Sequence, residues 1–170
     1  MKSIVVYFSH PGEVYNVGTA SEGNNQLLAN ALAQAIEADT FEIVPKVPYP
    51  TEYQACVEKA TDEGVASARP AYIGDIDNWA DYDTVYLGYP IWWGDIPMIV
   101  YTFLENHDFT GKTVIPFNTH EGSGNAGTYE MLKATIPSAS VIGEGWNITG
   151  VKARTPSGQK ELIDFVKTLK

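Results

Sequence analysis

Five short apolar runs alternate with stretches of helical period along the whole of this chain, and few folds can satisfy that order. Residues 4–8, 40–44, 84–88, 113–117 and 141–143 carry the runs, rich in β-branched and aromatic side chains. The first of them, Ile4 to Phe8, reads as a central strand buried on both faces of a sheet, and the others as further strands. The fifth run is expected to continue through Trp146 to Thr149. Between the runs lie helical patterns. The first follows Asn25 and places Leu28, Leu32 and Ile36 on one side; the second covers 51–67, after Pro45, Pro48 and Pro50 break the chain. The third, 96–106, turns Ile99, Val100, Phe103 and Leu104 inward, and the fourth covers 128–134, before Pro137. The last starts near Pro156 with Leu162, Phe165, Val166 and Leu169 on one face. Strands separated by helices pair in parallel, with the helices packed on both faces of one sheet. The expectation is α/β: a doubly wound five-stranded parallel sheet. No linker or repeat divides residues 1–170, which read as a single domain able to bury roughly 70% of its unfolded surface.

Doubly wound sheets bind ligands beyond the carboxyl ends of their strands, where the strand order reverses. That rule selects the loops after the first, third and fourth runs. Ser9, His10, Pro11 and Gly12 leave the first run, and after an insertion Gly23, Asn24 and Asn25 open a helix. Hydroxyl, amide and glycine groups at a helix start can hold an anion, helped by the helix dipole; ordinary capping by Asn24 or Asn25 is the competing explanation. The loop has no lysine or arginine, so a phosphate there would be held by backbone and neutral donors.

The loop after the third run contains Pro90, Ile91, Trp92, Trp93 and Gly94, two adjacent tryptophans where chains usually place polar residues. A planar ligand is the expected cover, and packing on a neighbouring helix the alternative. Asp95 is expected to cap the following helix, with Pro97 in its first turn. The loop after the fourth run carries Thr119, His120, Glu121, Gly122, Ser123 and Gly124. Its glycines let backbone amides approach a ligand. Gly122, Gly124 and Gly127 also fall in G-x-G-x-x-G register, with Glu144 twenty residues past Gly124. A dinucleotide fingerprint, however, normally occupies the first strand–helix turn of its unit. The three loops together describe a site for a flat ring with a phosphate tail, and flavin mononucleotide (FMN) fits all three.

The remaining features mostly exclude. Eleven basic against 21 acidic residues give a net charge of −10, which repels nucleic acid and anionic membrane surfaces. The same charge suits basic protein partners, or simply solubility. Cys56 is the one cysteine, so no internal disulfide can form, and its surroundings suit helix packing better than nucleophilic chemistry. His107 follows a helix end, where it favours the dipole, whereas His10 and His120 fall in site loops as candidates for flavin or substrate contact. Three scattered histidines and one cysteine lack metal-ligand spacing. No run is long enough for a signal peptide or membrane span, so a cytoplasmic protein is expected.

At residues 4–9, 88–98 and 117–124 the chain resembles the flavodoxins, the Pro90-Ile91-Trp92-Trp93 segment being the most specific part. The resemblance implies a flavodoxin-like fold of strand order 2-1-3-4-5 with FMN at the switch point. It further implies that Ser9, Gly23, Asn24 and Asn25 hold the phosphate, while Pro90 to Gly94 and Thr119 to Gly124 flank the isoalloxazine. Two departures stand out. The phosphate loop is interrupted, with Asn25 where threonine or serine is usual. Thr119 to Gly124 offers no aromatic, so one face of the ring is expected to be open. Three functions follow as expectations: an electron carrier between protein partners, as monomer or homodimer; a small FMN-dependent NAD(P)H reductase of a quinone-like acceptor; and an NAD-binding protein using Gly122 to Gly127.

Overall fold

The computed structural model describes residues 2–169. In chain order the elements are β1 (Lys2–Tyr7), β2 (Gly12–Val14), β3 (Gly18–Ala20), α1 (Asn24–Ile36), β4 (Asp39–Glu42), α2 (Tyr53–Ala66) and β5 (Tyr82–Pro90). Then follow α3 (Met98–Asn106), β6 (Thr113–His120), α4 (Thr128–Thr135), β7 (Ser140–Val141), β8 (Trp146–Thr149), α5 (Gly150–Ala153) and α6 (Pro156–Thr168). The main sheet runs β4-β1-β5-β6-β7, with β8 also on β6, and all of its pairings are parallel. Counting β7 and β8 together as the fifth strand, the order is 2-1-3-4-5, as expected. The fifth run thus becomes two short strands, because residues 142–145 leave the sheet between them.

The strict alternation of side chains along a strand explains why the central runs are apolar throughout. In β1, Ile4 and Val6 enter one core with Phe8, while Val5 and Tyr7 enter the other. Val85, Leu87 and Tyr89 of β5 join the first core and Tyr86 the second; Val114 of β6 joins the first, Ile115 and Phe117 the second. The first core is closed by Cys56 of α2, by Ile99, Val100, Phe103 and Leu104 of α3 and by Leu132 of α4. The second is closed by Leu28 and Leu32 of α1 and by Leu162 and Val166 of α6. Each fully buried aliphatic of this kind contributes about 1.5–3 kcal/mol relative to exposure. Gly88 on β5 faces Phe117 on β6, whose ring fills the missing side chain: a Cβ there would lie 2.3 Å from Phe117 Cζ.

Two local differences bear on the site. The insertion after β1 is an antiparallel hairpin, β2–β3, where the sequence pattern shows only an irregular segment. β6 runs on to His120, so Asn118 and Thr119 are strand residues, both buried. They pair with Tyr89 and Pro90 on one side and with Asn147 and Ile148 on the other. Their polar side chains bond within the fold: Asn118 Nδ2 donates to the Gly124 carbonyl at 3.0 Å, and the Tyr129 hydroxyl donates to Asn118 Oδ1 at 2.9 Å. Such residues read as loop in sequence, yet hydrogen bonding offsets their burial.

Candidate functional site

A cavity of about 470 Å³ opens at the carboxyl ends of β1, β5 and β6, bounded by the hairpin and by α2. That volume is within the usual range for small-molecule sites, about 300–1,000 Å³. Of the sequence-derived candidates, Ser9, His10, Asn24, Asn25, Pro90, Ile91, Trp92, Trp93, Thr119, His120 and Glu121 line it. Gly23, Gly94, Gly122, Ser123 and Gly124 are not among its lining residues.

The start of α1 forms one end. Ser9 is buried and its Oγ accepts the Gln26 N–H at 3.0 Å, tying the end of β1 to the first helical turn. Gly23 holds this joint closed, since a Cβ there would lie 2.1 Å from Ser9 Oγ and 2.8 Å from the His10 carbonyl oxygen. Asn25, 2% exposed, donates from Nδ2 to Thr119 Oγ1 at 2.9 Å and leaves its Oδ1 buried without a partner. The Thr119 hydroxyl can donate as well as accept, so a half-turn of the Asn25 amide would present NH₂ in place of oxygen. His10 bonds the Pro50 carbonyl through one ring nitrogen and leaves Nε2 buried and unpartnered; burial holds its pKa below the ordinary histidine value. Buried polar atoms are nearly always satisfied, so two orphans in one cavity are a signal.

An arginine outside the cavity lining braces this helix start, which the local sequence does not reveal. Arg154, just after α5, donates from Nη1 to the Glu22 carbonyl at 2.9 Å and to Asn24 Oδ1 at 3.1 Å. The loop has no basic residue of its own, but the fold supplies one from a distant stretch of chain.

The tryptophan loop is a tight reverse turn. Trp92 N–H donates to the Asp95 carbonyl at 3.0 Å and Asp95 N–H to the Trp92 carbonyl at 3.1 Å, with Trp93 at φ 55° and Gly94 at φ 68°. Positive φ at both central residues is the type I′ pattern, which suits glycine at either place and is strained for tryptophan. Trp93 is 69% exposed, whereas Trp92 packs edge-on against Phe8 and Tyr49 at centroid distances of 5.2 and 5.1 Å. The two neighbours therefore have different tasks, one structural and one facing outward. Asp95 does not cap α3 in the manner expected. Its Oδ1 accepts from Ile96 N–H at 2.6 Å and from the Tyr101 hydroxyl at 2.7 Å, and Pro97 stands at the N-cap with no side-chain cap bond. The side chain is used to brace the turn against α3 instead.

Beyond β6, His120 Nδ1 accepts the Gly122 N–H at 2.9 Å, so the proton sits on Nε2, which donates to Asn147 Oδ1 at 3.0 Å. The Glu121 carboxylate accepts the Gly150 N–H at the start of α5 and reaches Asn16 Nδ2 of the hairpin at 3.4 Å; burial raises its pKa. Gly122 and Gly124 take φ of 124° and 62° and serve the turn that leads into α4.

The rest of the cavity lining comes from the hairpin and α2, where no local sequence signal marks it: Val14, Tyr15, Tyr53, Gln54, Cys56, Val57 and Ala60. Tyr15, at the hairpin tip, packs on Tyr53 with centroids 5.7 Å apart and 33° between the planes. The loop after β6 has no aromatic of its own, and Tyr15 and Tyr53 bring two to the cavity wall from the insertion and α2. Cys56 is buried and its thiol is pushed up to about 11, mainly by desolvation, which suits packing and leaves it protonated. His107 bonds the Phe103 carbonyl and Asp75 away from the cavity, at 2.8 Å each. Among the described residues no cluster of His, Cys, Asp and Glu could hold a metal, and no helix is long and apolar enough to cross a membrane.

The sequence model of the family described as Flavodoxin matches residues 2–163. The chain belongs to the flavodoxin family. Solved structures agree with this membership. A candidate flavoprotein from Bacteroides eggerthii superposes with a TM-score of 0.77 at 29% identity, over 98% of this chain and 96% of that chain. A flavoprotein from Lactobacillus acidophilus in complex with FMN gives 0.67 at 19%, over 86% and 91%. An NADH:FMN oxidoreductase in its apo form gives 0.55 at 13%, over 99% and 88%. The last two establish likeness of fold alone. No curated protein sequence matches.

Proposed function

We propose that this protein binds FMN in the cavity and carries electrons between protein partners. The observation that carries the reading is the union, in one cavity at the switch point, of aromatic walls with two buried, unpartnered polar atoms, His10 Nε2 and Asn25 Oδ1. With the other ring nitrogen of His10 bonded to the Pro50 carbonyl, Nε2 is an acceptor, as is the Asn25 oxygen. Acceptors need hydroxyl or N–H donors, and the sugar-alcohol chain of FMN has several hydroxyls. The first turn of α1 and Asn24 suit its phosphate, and Trp93 with Tyr15 and Tyr53 suits its ring.

When bound, FMN would supply the redox chemistry. The chain's own part is to hold the group and exclude water. Trp92 and Ile91 form an apolar floor, Ser9 and Gly23 fix the helix start, and Asp95 braces the tryptophan turn. Electron transfer needs no acid–base pair, and the titratable groups here suit none: the Cys56 thiol is pushed up to about 11, and the His10 pKa lies below its ordinary value. Among the described residues no lysine or arginine lines the cavity, so little there would grip the phosphates of NAD(P)H. That favours a carrier. A net charge of −10 favours docking to basic partner proteins.

One observation favours a second reading, reduction of a small quinone-like acceptor. The cavity extends along α2 past Cys56, Val57 and Ala60, apolar wall that could receive a flat substrate. The two separate in one anaerobic experiment. Holoprotein that stays oxidised with excess NADPH but bleaches with dithionite supports the carrier; rapid bleaching by NADPH supports the reductase.

A further inference from the structure

We infer that a groove behind the tryptophan turn is a socket for a lysine or arginine side chain of a basic partner protein. The inference rests on the carrier reading above and names where the partner docks. The groove is a second cavity, of about 310 Å³, between α2 and the start of α3. Ala60 and Val65 of α2, Trp93 of the turn, and Pro97 and Met98 give it apolar walls, and Glu63 and Asp95 add two carboxylates. Trp92 and Trp93 line both this groove and the cavity proposed for FMN, so they are the partition between the two. The apolar rim faces solvent, with Val65 85% exposed and Trp93 69%. Over its fourteen residues α2 has one buried side chain, Cys56.

The charges select the occupant. Glu63 and Asp95 use one oxygen each in the fold: Glu63 Oε2 accepts from the Tyr49 hydroxyl at 2.7 Å, and Asp95 Oδ1 from Ile96 N–H and the Tyr101 hydroxyl. Among the described residues no lysine or arginine lines the groove. Arg69 nearby is committed to Glu105 and to the carbonyls of Ser67 and Ala68. Lys59, whose charge reaches Glu63, lies over the Tyr49 ring at 4.8 Å. A lysine or arginine from outside combines an apolar stem, which suits Ala60, Met98 and the Trp93 face, with a charged head for the carboxylates. A purely apolar anchor would cover two carboxylates without pairing them. A second copy of this chain would bring another net charge of −10 and be repelled. The strained backbone at Trp93, φ 55°, fits a ring held outward for such a contact.

The test titrates isotope-labelled full-length protein, FMN added, with ferrous cytochrome c, a small lysine-rich protein, at low salt, followed by two-dimensional NMR. Shifts should centre on the amides of Ala60, Val65 and Met98 and on the Trp93 indole, and cytochrome with acetylated lysines should lose the binding. Val65→Lys puts a cation on the groove rim and should weaken binding about fivefold or more. Leu169→Lys makes the same charge change at the exposed end of α6, which packs on the other face of the sheet, and should weaken it less than about twofold. Both variants should keep wild-type FMN affinity. Equal weakening in the two variants, shifts centred elsewhere, undiminished binding of acetylated cytochrome, or no binding at all overturns the socket. Shifts at the groove on concentrating the protein alone would assign it to a second copy and overturn it too. Failure of wild type to bind FMN, read by flavin fluorescence, would sink the FMN reading itself, a distinct outcome.

Discussion

Replacing Trp93 by glycine should move stability and ligand affinity in opposite directions. Trp93 occupies a left-handed position that costs an L-residue roughly 1–2 kcal/mol and glycine very little. With Gly94 beside it the variant has Gly-Gly, a favoured type I′ pair, so the turn should persist. Offsetting this, glycine loses more chain entropy on folding, by roughly 0.5–1 kcal/mol. Apoprotein stability should therefore be unchanged or rise by up to about 1 kcal/mol, since the side chain is 69% exposed and contributes little burial. Affinity is another matter. An aromatic side chain presents about 150–250 Å², of which that exposure leaves about 100–170 Å² for a ligand. Covering half of this at about 25 cal/mol per Å² is worth about 1–2 kcal/mol, a loss of roughly 5–30-fold in FMN affinity. Chemical denaturation of the apoprotein and fluorescence titration with FMN read the two quantities. Unchanged FMN affinity would refute Trp93 as a wall of the flavin site, whatever the stability does.

Trp92→Ala should behave differently, because Trp92 packs against Phe8 and Tyr49; it should cost about 2–4 kcal/mol of apoprotein stability in denaturant as well as weaken FMN. Gly23→Ala should break the Ser9–Gln26 bond, since its Cβ would lie 2.1 Å from Ser9 Oγ, and should lower FMN affinity at least about tenfold by titration. His10 carries a pKa lowered by burial, so the unfolded chain binds the extra proton first as pH falls below about 6.5. Its contribution is present above that pH and lost on acidification. Melting temperature should accordingly fall more steeply between pH 7 and 5 (roughly, around that value) in wild type than in His10→Asn, and equal slopes would remove the buried-neutral assignment.

Much of the fold is legible in the sequence because strands buried on both faces must be apolar nearly throughout, as residues 4–8 and 85–88 are. The order 2-1-3-4-5 came from family resemblance and agrees with the pairings found. Local rules failed where a residue's role depends on distant chain. Asn118 and Thr119 read as loop, yet they extend β6 because Gly124, Tyr129 and Asn25 satisfy them. Arg154 was invisible as a partner of Asn24 because nothing in its local sequence points 130 residues back. The hairpin had a signal: Val14 and Val17 flank Tyr15-Asn16, with Gly18 following, and Asn16 takes φ 58° and Gly18 φ 93°. Its strands are only three residues each, too short for periodicity to register. Cys56, Val57 and Ala60 looked like an ordinary packing face of α2, and only tertiary placement turns them toward the cavity.

The most direct test is to titrate full-length apoprotein with FMN while following flavin fluorescence, with Trp93→Gly alongside. Stacking of the ring on aromatic walls should quench the emission to an end point of one flavin per chain, with affinity reduced in the variant. Emission unchanged at every protein concentration would contradict the assignment of this cavity to FMN.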